Sequence, residues 1–440
     1  MKIFYALIIL ILLQNCSFDN KSGIWKNENF ISKEDTLFEE FKTISNANET
    51  FNKIIPIKKN FKFFLGDQIK NNNWSDIFFN QTNNYKNFKY NDKNQLIFKS
   101  KKLSKSKINN YVIVENNNLI TSDHKGNLIV FSINQNKITS KYNFYKKKFK
   151  KIKKKLNLIV ENNIIYVSDN IGYLYAFNYE SNKILWAKNF KVPFRSNLKL
   201  SKKKLITSNQ NNKLFFIDKI NGEMIKLIPT EETTVKNLFV NNLSANTDNI
   251  FFLNTYGSLY SININSMEIN WFLNLNQSLD LNPSNLFFGS EIINFEDKIA
   301  VSSNEFMYII NANNGSTIYK KNIPTVIKPI IINNYLFAIT KNDYLISMNL
   351  RNGDIIYSYN INTKISEFLD TKKKTVEFKD MLIANDHIYI FLKNSFLLKF
   401  NIRGELISID KFSSKIYSQL VLVNNSLLYL DNKNKISIID

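Results

Sequence analysis

The chain is poor in the residues that usually build a reactive centre. Its 440 residues include one cysteine, Cys16, so no internal disulfide and no paired-thiolate metal or redox site can form. Only two histidines occur, His124 and His387, far apart in sequence, which leaves little from which to assemble a metal site or a general base. Neither a nucleophile elbow nor a phosphate-binding Walker loop is present. Glycine and proline number ten and six. Asparagine and lysine therefore stand where glycine or aspartate normally makes the turns. Helical periodicity is absent from the body of the chain. The apolar run Ile3–Leu13 is eleven residues long, too short to span a bilayer and of the size of a signal-peptide core.

What is present is repetition. The clearest copy reads Ile165-Tyr166-Val167-Ser168, Asp169-Asn170-Ile171-Gly172, Tyr173-Leu174-Tyr175-Ala176-Phe177-Asn178 and, after a polar turn, Lys183-Ile184-Leu185-Trp186. This reads as strand, turn, strand, turn, strand. The pattern restarts near Leu119, Ile165, Leu205, Ile250, Ile299, Leu336, Ile388 and Leu428, a mean spacing of about 44 residues, the period of four-stranded propeller blades. The strands are apolar on both sides, as expected of blades covered on both faces. Gln95-Leu96-Ile97-Phe98-Lys99 resembles a last strand with no earlier ones, and the eighth repeat stops one strand short at Asp440. The N-terminal strand is expected to complete the C-terminal blade and close the ring. The fold class is thus all-β, an eight-bladed propeller over residues 74–440, preceded by a polar tether over 17–73 and a signal segment over 1–16.

The repeat, with Gly172, Ala176 and Trp186 in one copy and Gly257, Leu259-Tyr260 and Trp271 in another, resembles the PQQ-like propeller repeat, and Gly222, Gly315 and Gly353 mark the second turn of other copies. Leu13-Gln14-Asn15-Cys16 resembles a bacterial lipoprotein signal, with Asn15 in place of the usual small residue; an ordinary secretory signal with an incidental cysteine is the other reading. Repeat, blade number, closure and signal together resemble the BamB-type lipoproteins of the outer-membrane β-barrel assembly machinery. That resemblance implies lipidation at Cys16, an outer-membrane location facing the periplasm, no catalysis and no cofactor. It also implies a partner, the periplasmic domains of the barrel-forming subunit, which contact a Leu-Arg-Gly-like motif between early blades. Here the corresponding stretch is Val192-Pro193-Phe194-Arg195-Ser196-Asn197, so Phe194 and Arg195 are the candidate partner-binding residues. The next connection, acidic in that family, has no acidic residue over Val235 to Asn242. An Arg beside an aromatic on an inter-blade loop also suits an interface anchor on composition alone, with an ordinary surface Arg as the other reading.

A formal net charge of +22 and the run Lys146–Lys155 invite a nucleic-acid reading, which export argues against. The run reads either as a solvated loop or as a contact to anionic headgroups, lipopolysaccharide phosphates or cell-wall polymer. His124, in the turn Asp123-His124-Lys125-Gly126, reads as a solvated turn residue, and Trp186 and Trp271 as blade packing. A quinoprotein-like dehydrogenase and a polysaccharide-binding envelope propeller remain the alternatives.

Overall fold

A computed structural model describes residues 51–145, 149–233, 240–276, 287, 289–372 and 374–440, with the backbone of Cys16–Phe18 and Trp25–Asn27. The chain divides into two units, Met1–Glu49 and Thr50–Asp440. In the first, Cys16–Phe18 pairs antiparallel with Trp25–Asn27; the apolar signal run lies outside the described residues. The second unit is the propeller.

Eight sheets form its blades, each built on consecutive antiparallel strands, with blades 7 and 8 also taking a strand from earlier in the chain. Blade 1 comprises Ile113–Glu115, Asn118–Ser122, Asn127–Ser132 and Lys137–Asn143, and blade 2 Leu156–Glu161, Ile164–Asp169, Tyr173–Asn178 and Lys183–Asn189. The pattern continues to blade 7, Phe378–Ala384 through Leu406–Lys411, and blade 8, Val421–Val423, Ser426–Leu430 and Ile436–Ile439. The eight repeat starts read from the sequence fall in the second strand of each blade. The expected closure is present: Leu96–Lys99 is the outer strand of blade 8, with Ser437 opposite Lys99 and Ile438 opposite Phe98.

Asparagine makes the turns. The tight hairpins Asn116-Asn117, Asn162-Asn163 and Asn424-Asn425 hold both residues at φ of 49–66°, the left-handed pair that a two-residue hairpin needs and that Asn tolerates best after Gly. Glycine is kept where a ring arrives. A Cβ on Gly222 or Gly315 would stand 2.6 Å from the ring of Trp186 or Trp271, whose Nε1 donates at 3.0 Å to Lys219 O or Ala312 O of the next blade. The two tryptophans are the blade-packing residues that the repeat implies.

Two features depart from the expectation. A capped helix, Ile361–Leu369, lies between blades 6 and 7, started by Asn360, whose side chain accepts from Thr363 N. One nine-residue helix is too short to impose a visible period on a 440-residue pattern. Residues 51–73, assigned above to the tether, lie against the blades. Ile55 exchanges both backbone hydrogen bonds, 2.9 and 3.0 Å, with Ser358 on the outer strand of blade 6. Phe63 packs edge-on to Tyr335 at 4.9 Å, and Arg403 Nη1 and Nη2 donate to the carbonyls of Phe61 and Lys58.

Residues 71–88 go further and wind once around the inside of the channel. They meet the blades in ring order: Asn71 O accepts from Asn424 N of blade 8, Trp74 pairs with Val114 of blade 1, and Ser75 O accepts from Val160 N of blade 2. Gln81 O and Thr82 O then accept from Ala245 N of blade 4 and Asn294 N of blade 5, at 2.8 and 3.0 Å. Asn84 forms a two-way pair with Ile331 of blade 6, at 2.8 and 3.0 Å. Asn87–Phe88 adds a parallel fifth strand to blade 7. The inner strand of a propeller blade has a free edge facing the axis, and this plug satisfies it. Within the plug Trp74, Phe79, Tyr85 and Phe88 pack together, with Trp74 and Phe88 wholly buried.

Candidate functional site

The plug carries a buried charge cluster. Lys199, in the inner strand of blade 3, completes the plug's round of the blades: its Nζ donates to Asp76 Oδ2 at 2.6 Å, Asn80 O at 2.8 Å and Asn83 Oδ1 at 2.6 Å. Both charged side chains are essentially unexposed, so each depends on the other. Burial pushes the Lys199 amine below its usual range, and the Asp76 carboxylate opposes that shift. Lys328, just before the inner strand of blade 6, donates to Asn83 O at 2.8 Å and Phe78 O at 3.2 Å, and its amine stands 3.6 Å from the Tyr85 ring centroid. Burial lowers its pKa to about 8, despite the neighbouring carboxylates of Glu291 and Asp380. Asp380 itself is raised to about 6, chiefly by desolvation.

Above the plug the channel opens as a funnel. Ile77 and Phe78 form its floor, and cavities of about 520 and 260 Å³ share them with Tyr111 and Glu291. Its wall is made by the connections that bring the chain from the outer strand of one blade to the inner strand of the next. Asn197 on one such connection, and Asn157 and Asn242 at the starts of the inner strands of blades 2 and 4, line it. Asn197 also clips neighbouring blades, accepting from Leu243 N and donating to Leu243 O, both at 2.8 Å.

Arg195 stands on the connection between blades 2 and 3. Its backbone N donates to Ser208 O at 3.0 Å, and Ser196 Oγ accepts from Ser208 N at 2.8 Å, so the loop is fixed on both sides of it. The guanidinium is half-buried, lowered in pKa by desolvation, and forms no ion pair among the described residues. Phe194 is 3% exposed and packs edge-on to Phe190 and Phe215, at 5.4 and 6.1 Å. It supports the loop from beneath and is not itself available to a partner. Residues 234–239 of the next connection lie outside the described residues, as do Lys146–Lys148 of the basic run. His124 sits on a turn of blade 1, half-buried at the funnel rim, its pKa lowered by burial and then by Lys107 and Lys153. His387 is on blade 7, bonded through Nδ1 to Asn385 O at 2.6 Å. The fold does not bring the two histidines together, and no cluster of three metal-ligating side chains occurs among the described residues.

Sequence reasoning passed over Asp76, Lys199 and Lys328. A signal was present: Leu198-Lys199-Leu200 and Ile327-Lys328-Pro329-Ile330 each place a lysine inside a run that the fold must bury, and such a charge is retained only with a partner.

Residues 146–359, spanning blades 2 to 6, match the family described as outer membrane protein assembly factor BamB, PQQ_2. No curated protein sequence matches the chain. Among solved structures, BamB from Moraxella catarrhalis superposes with a TM-score of 0.61 at 11% identity, covering 79% of this chain and 99% of that one. The quinohemoprotein alcohol dehydrogenase from Comamonas testosteroni gives 0.59 at 9% identity, covering 83% and 80%, and the computationally designed protein Ika8 gives 0.59 at 10%, covering 78% and 99%. At these identities the likeness to solved structures is one of fold. With its blade count, ring closure and tryptophan–glycine docking between blades, the chain is an eight-bladed β-propeller whose residues 146–359 match the BamB family.

Proposed function

We propose that the chain is a non-catalytic scaffold of outer-membrane β-barrel assembly. It is held in the outer membrane by a lipid on Cys16 and binds the periplasmic domains of the barrel-forming subunit. Residues 17–50 are the tether in this reading, shorter than the sequence suggests because the strap from Phe51 is committed to the ring. The observation that carries the proposal is Arg195: a charged group partly removed from water, fixed on a rigid loop and without an ion partner among the described residues, inside the span matched by the assembly-factor family. Such a group gains when a partner supplies hydrogen-bond acceptors, which is why Arg recurs at interface hot spots.

Co-purification from gently solubilised envelopes, through a C-terminal tag, tests it. Recovery of the barrel-forming subunit with the wild type, reduced about tenfold or more by Arg195→Ala, is the expected result. Recovery of no such subunit overturns the proposal. Cys16→Ser is expected to release the protein from the membrane fraction into the soluble periplasm.

The likeness to a quinohemoprotein favours a second reading, a quinone-dependent dehydrogenase. Against it, the two amines at the channel axis are already engaged by the plug, and Ile77 and Phe78 close the channel floor. Dye reduction on addition of quinone and an alcohol would decide in its favour.

A further inference from the structure

The described part of the basic run, Phe149 to Lys155, is a built feature of the connection between blades 1 and 2. Lys154 turns inward, 1% exposed, its Nζ donating to Phe149 O and lying 5.1 Å from the Tyr145 ring centroid. Phe149 packs edge-on to Tyr145 and Tyr173, at 6.3 and 6.0 Å. Asn170 clamps the far side, accepting from Lys155 N at 2.8 Å and donating to Lys153 O at 2.9 Å. With one lysine spent as the internal anchor, Lys150, Lys151, Lys153 and Lys155 all point to solvent. Ile152 between them is 46% exposed.

A second basic loop is stitched to the first through His124, whose N donates to Lys107 O at 2.8 Å and whose O accepts from Lys154 N at 3.0 Å. It adds the exposed Lys101, Lys102 and Lys105. The only carboxylate in these loops, Asp123, is fully buried, with both oxygens taken by Ser104 Oγ, Lys125 N and Asn127, at 2.6–3.0 Å. None of the exposed lysines is ion-paired with a described residue. The corner therefore presents fixed positive charge with no ion partner among the described residues, and one exposed aliphatic side chain between the lysines.

We propose that this corner, at blades 8, 1 and 2, docks the propeller on a membrane surface carrying anionic phospholipid. Lysines gain from a negative headgroup layer at short range, and an exposed aliphatic residue flanked by them enters the boundary between headgroups and acyl chains. An acidic protein segment would satisfy the charges but gives no reason for Ile152 to stand free. The proposal is independent of the partner assigned to Arg195 and adds a second attachment beside the lipid at Cys16, which would fix the face turned to the bilayer.

The test uses the full chain carrying Cys16→Ser, without acyl chain, in sedimentation with vesicles of phosphatidylethanolamine containing 30% or no phosphatidylglycerol. Binding to the anionic vesicles is expected, falling steeply with salt. Replacing Lys150, Lys151, Lys153 and Lys155 by Gln should weaken it on the order of a hundredfold or more, and Ile152→Ser several-fold. Gln at Lys137 and Lys183, exposed at strand starts, and at Lys202 and Lys203, exposed on a turn, all at the opposite ends of the strands, should cost far less. Equal losses for the two sets would mean net charge alone and overturn the proposal. Equal binding to neutral vesicles, or tight binding of polyphosphate or an acidic peptide by a protein that ignores the vesicles, would overturn it too. All the substituted side chains are exposed, so the melting temperature should not move and loss of fold cannot mimic the result.

Discussion

Lys199 and Lys328 lie at the inner strands of blades 3 and 6, buried and each held by several plug oxygens, while Arg195 and the lysines of residues 150–155 sit on the loop layer above with no ion partner among the described residues. The two groups carry the same charge on the same protein, and the difference lies in who satisfies it. The lower set is satisfied from within and contributes to the integrity of the ring. The upper set is held in place from beneath, by Phe194 under Arg195 and by Phe149 with the inward Lys154 under the basic run, and its remaining charge faces outward. A cation with internal partners reports on folding, and one that the fold only positions reports on binding.

Substitutions that cross this division should behave oppositely. Asp76→Ala leaves Lys199 buried without a counter-charge and is expected to cost about 3–5 kcal/mol in urea unfolding, with much of the loss restored by adding Lys199→Met. A cost near zero would mean that the pair is not a structural element. The amine of Lys328 is next. Its pKa is lowered to about 8, so between that value and the unfolded value the native state binds fewer protons than the unfolded one, and stability rises with pH. The penalty is fully present below pH 8 and is relieved as pH climbs toward 10. Relative to Lys328→Met, the wild type should gain up to about 3 kcal/mol between pH 7 and pH 10, read from paired unfolding curves.

Gly222→Ala sets a clash against the Trp186 ring at a backbone φ of 74° and should cost about 1–3 kcal/mol in the same assay, by overpacking the junction of blades 2 and 3. Arg195→Ala completes the order with the smallest effect on folding, within about 0.5 kcal/mol, while carrying the loss of partner binding described above. A large loss of stability with unchanged binding would move Arg195 into the structural set and dissolve the comparison.

Much of this was legible from residues alone. The blade positions, the closure through Gln95–Lys99 and the packing of Trp186 and Trp271 follow from local patterns repeated at a fixed period, even with asparagine replacing glycine in the turns. The motif that suggested Arg195 also put Phe194 at the interface, and the structure places that ring in the core. A loop aromatic beside an Arg has the same composition whether it points in or out, and only the arrival of Phe190 and Phe215 decides. The basic run was likewise visible, whereas its inward Lys154 anchor was not.

The plug was hidden for a different reason. Its sequence, Asn71 to Phe88, has no period, because each residue meets a different blade. Asn83 bonds to carbonyls 160 and 209 residues away, and Asn84 to one 247 residues away. A propeller blade contacts chiefly its neighbours in sequence, so its pattern is written locally and the chain by itself determined the ring. The segment that fills the channel is selected by free backbone groups that exist only once the ring has closed. Tertiary structure alone therefore decided that the polar stretch from Phe51 onward is part of the ring and its core.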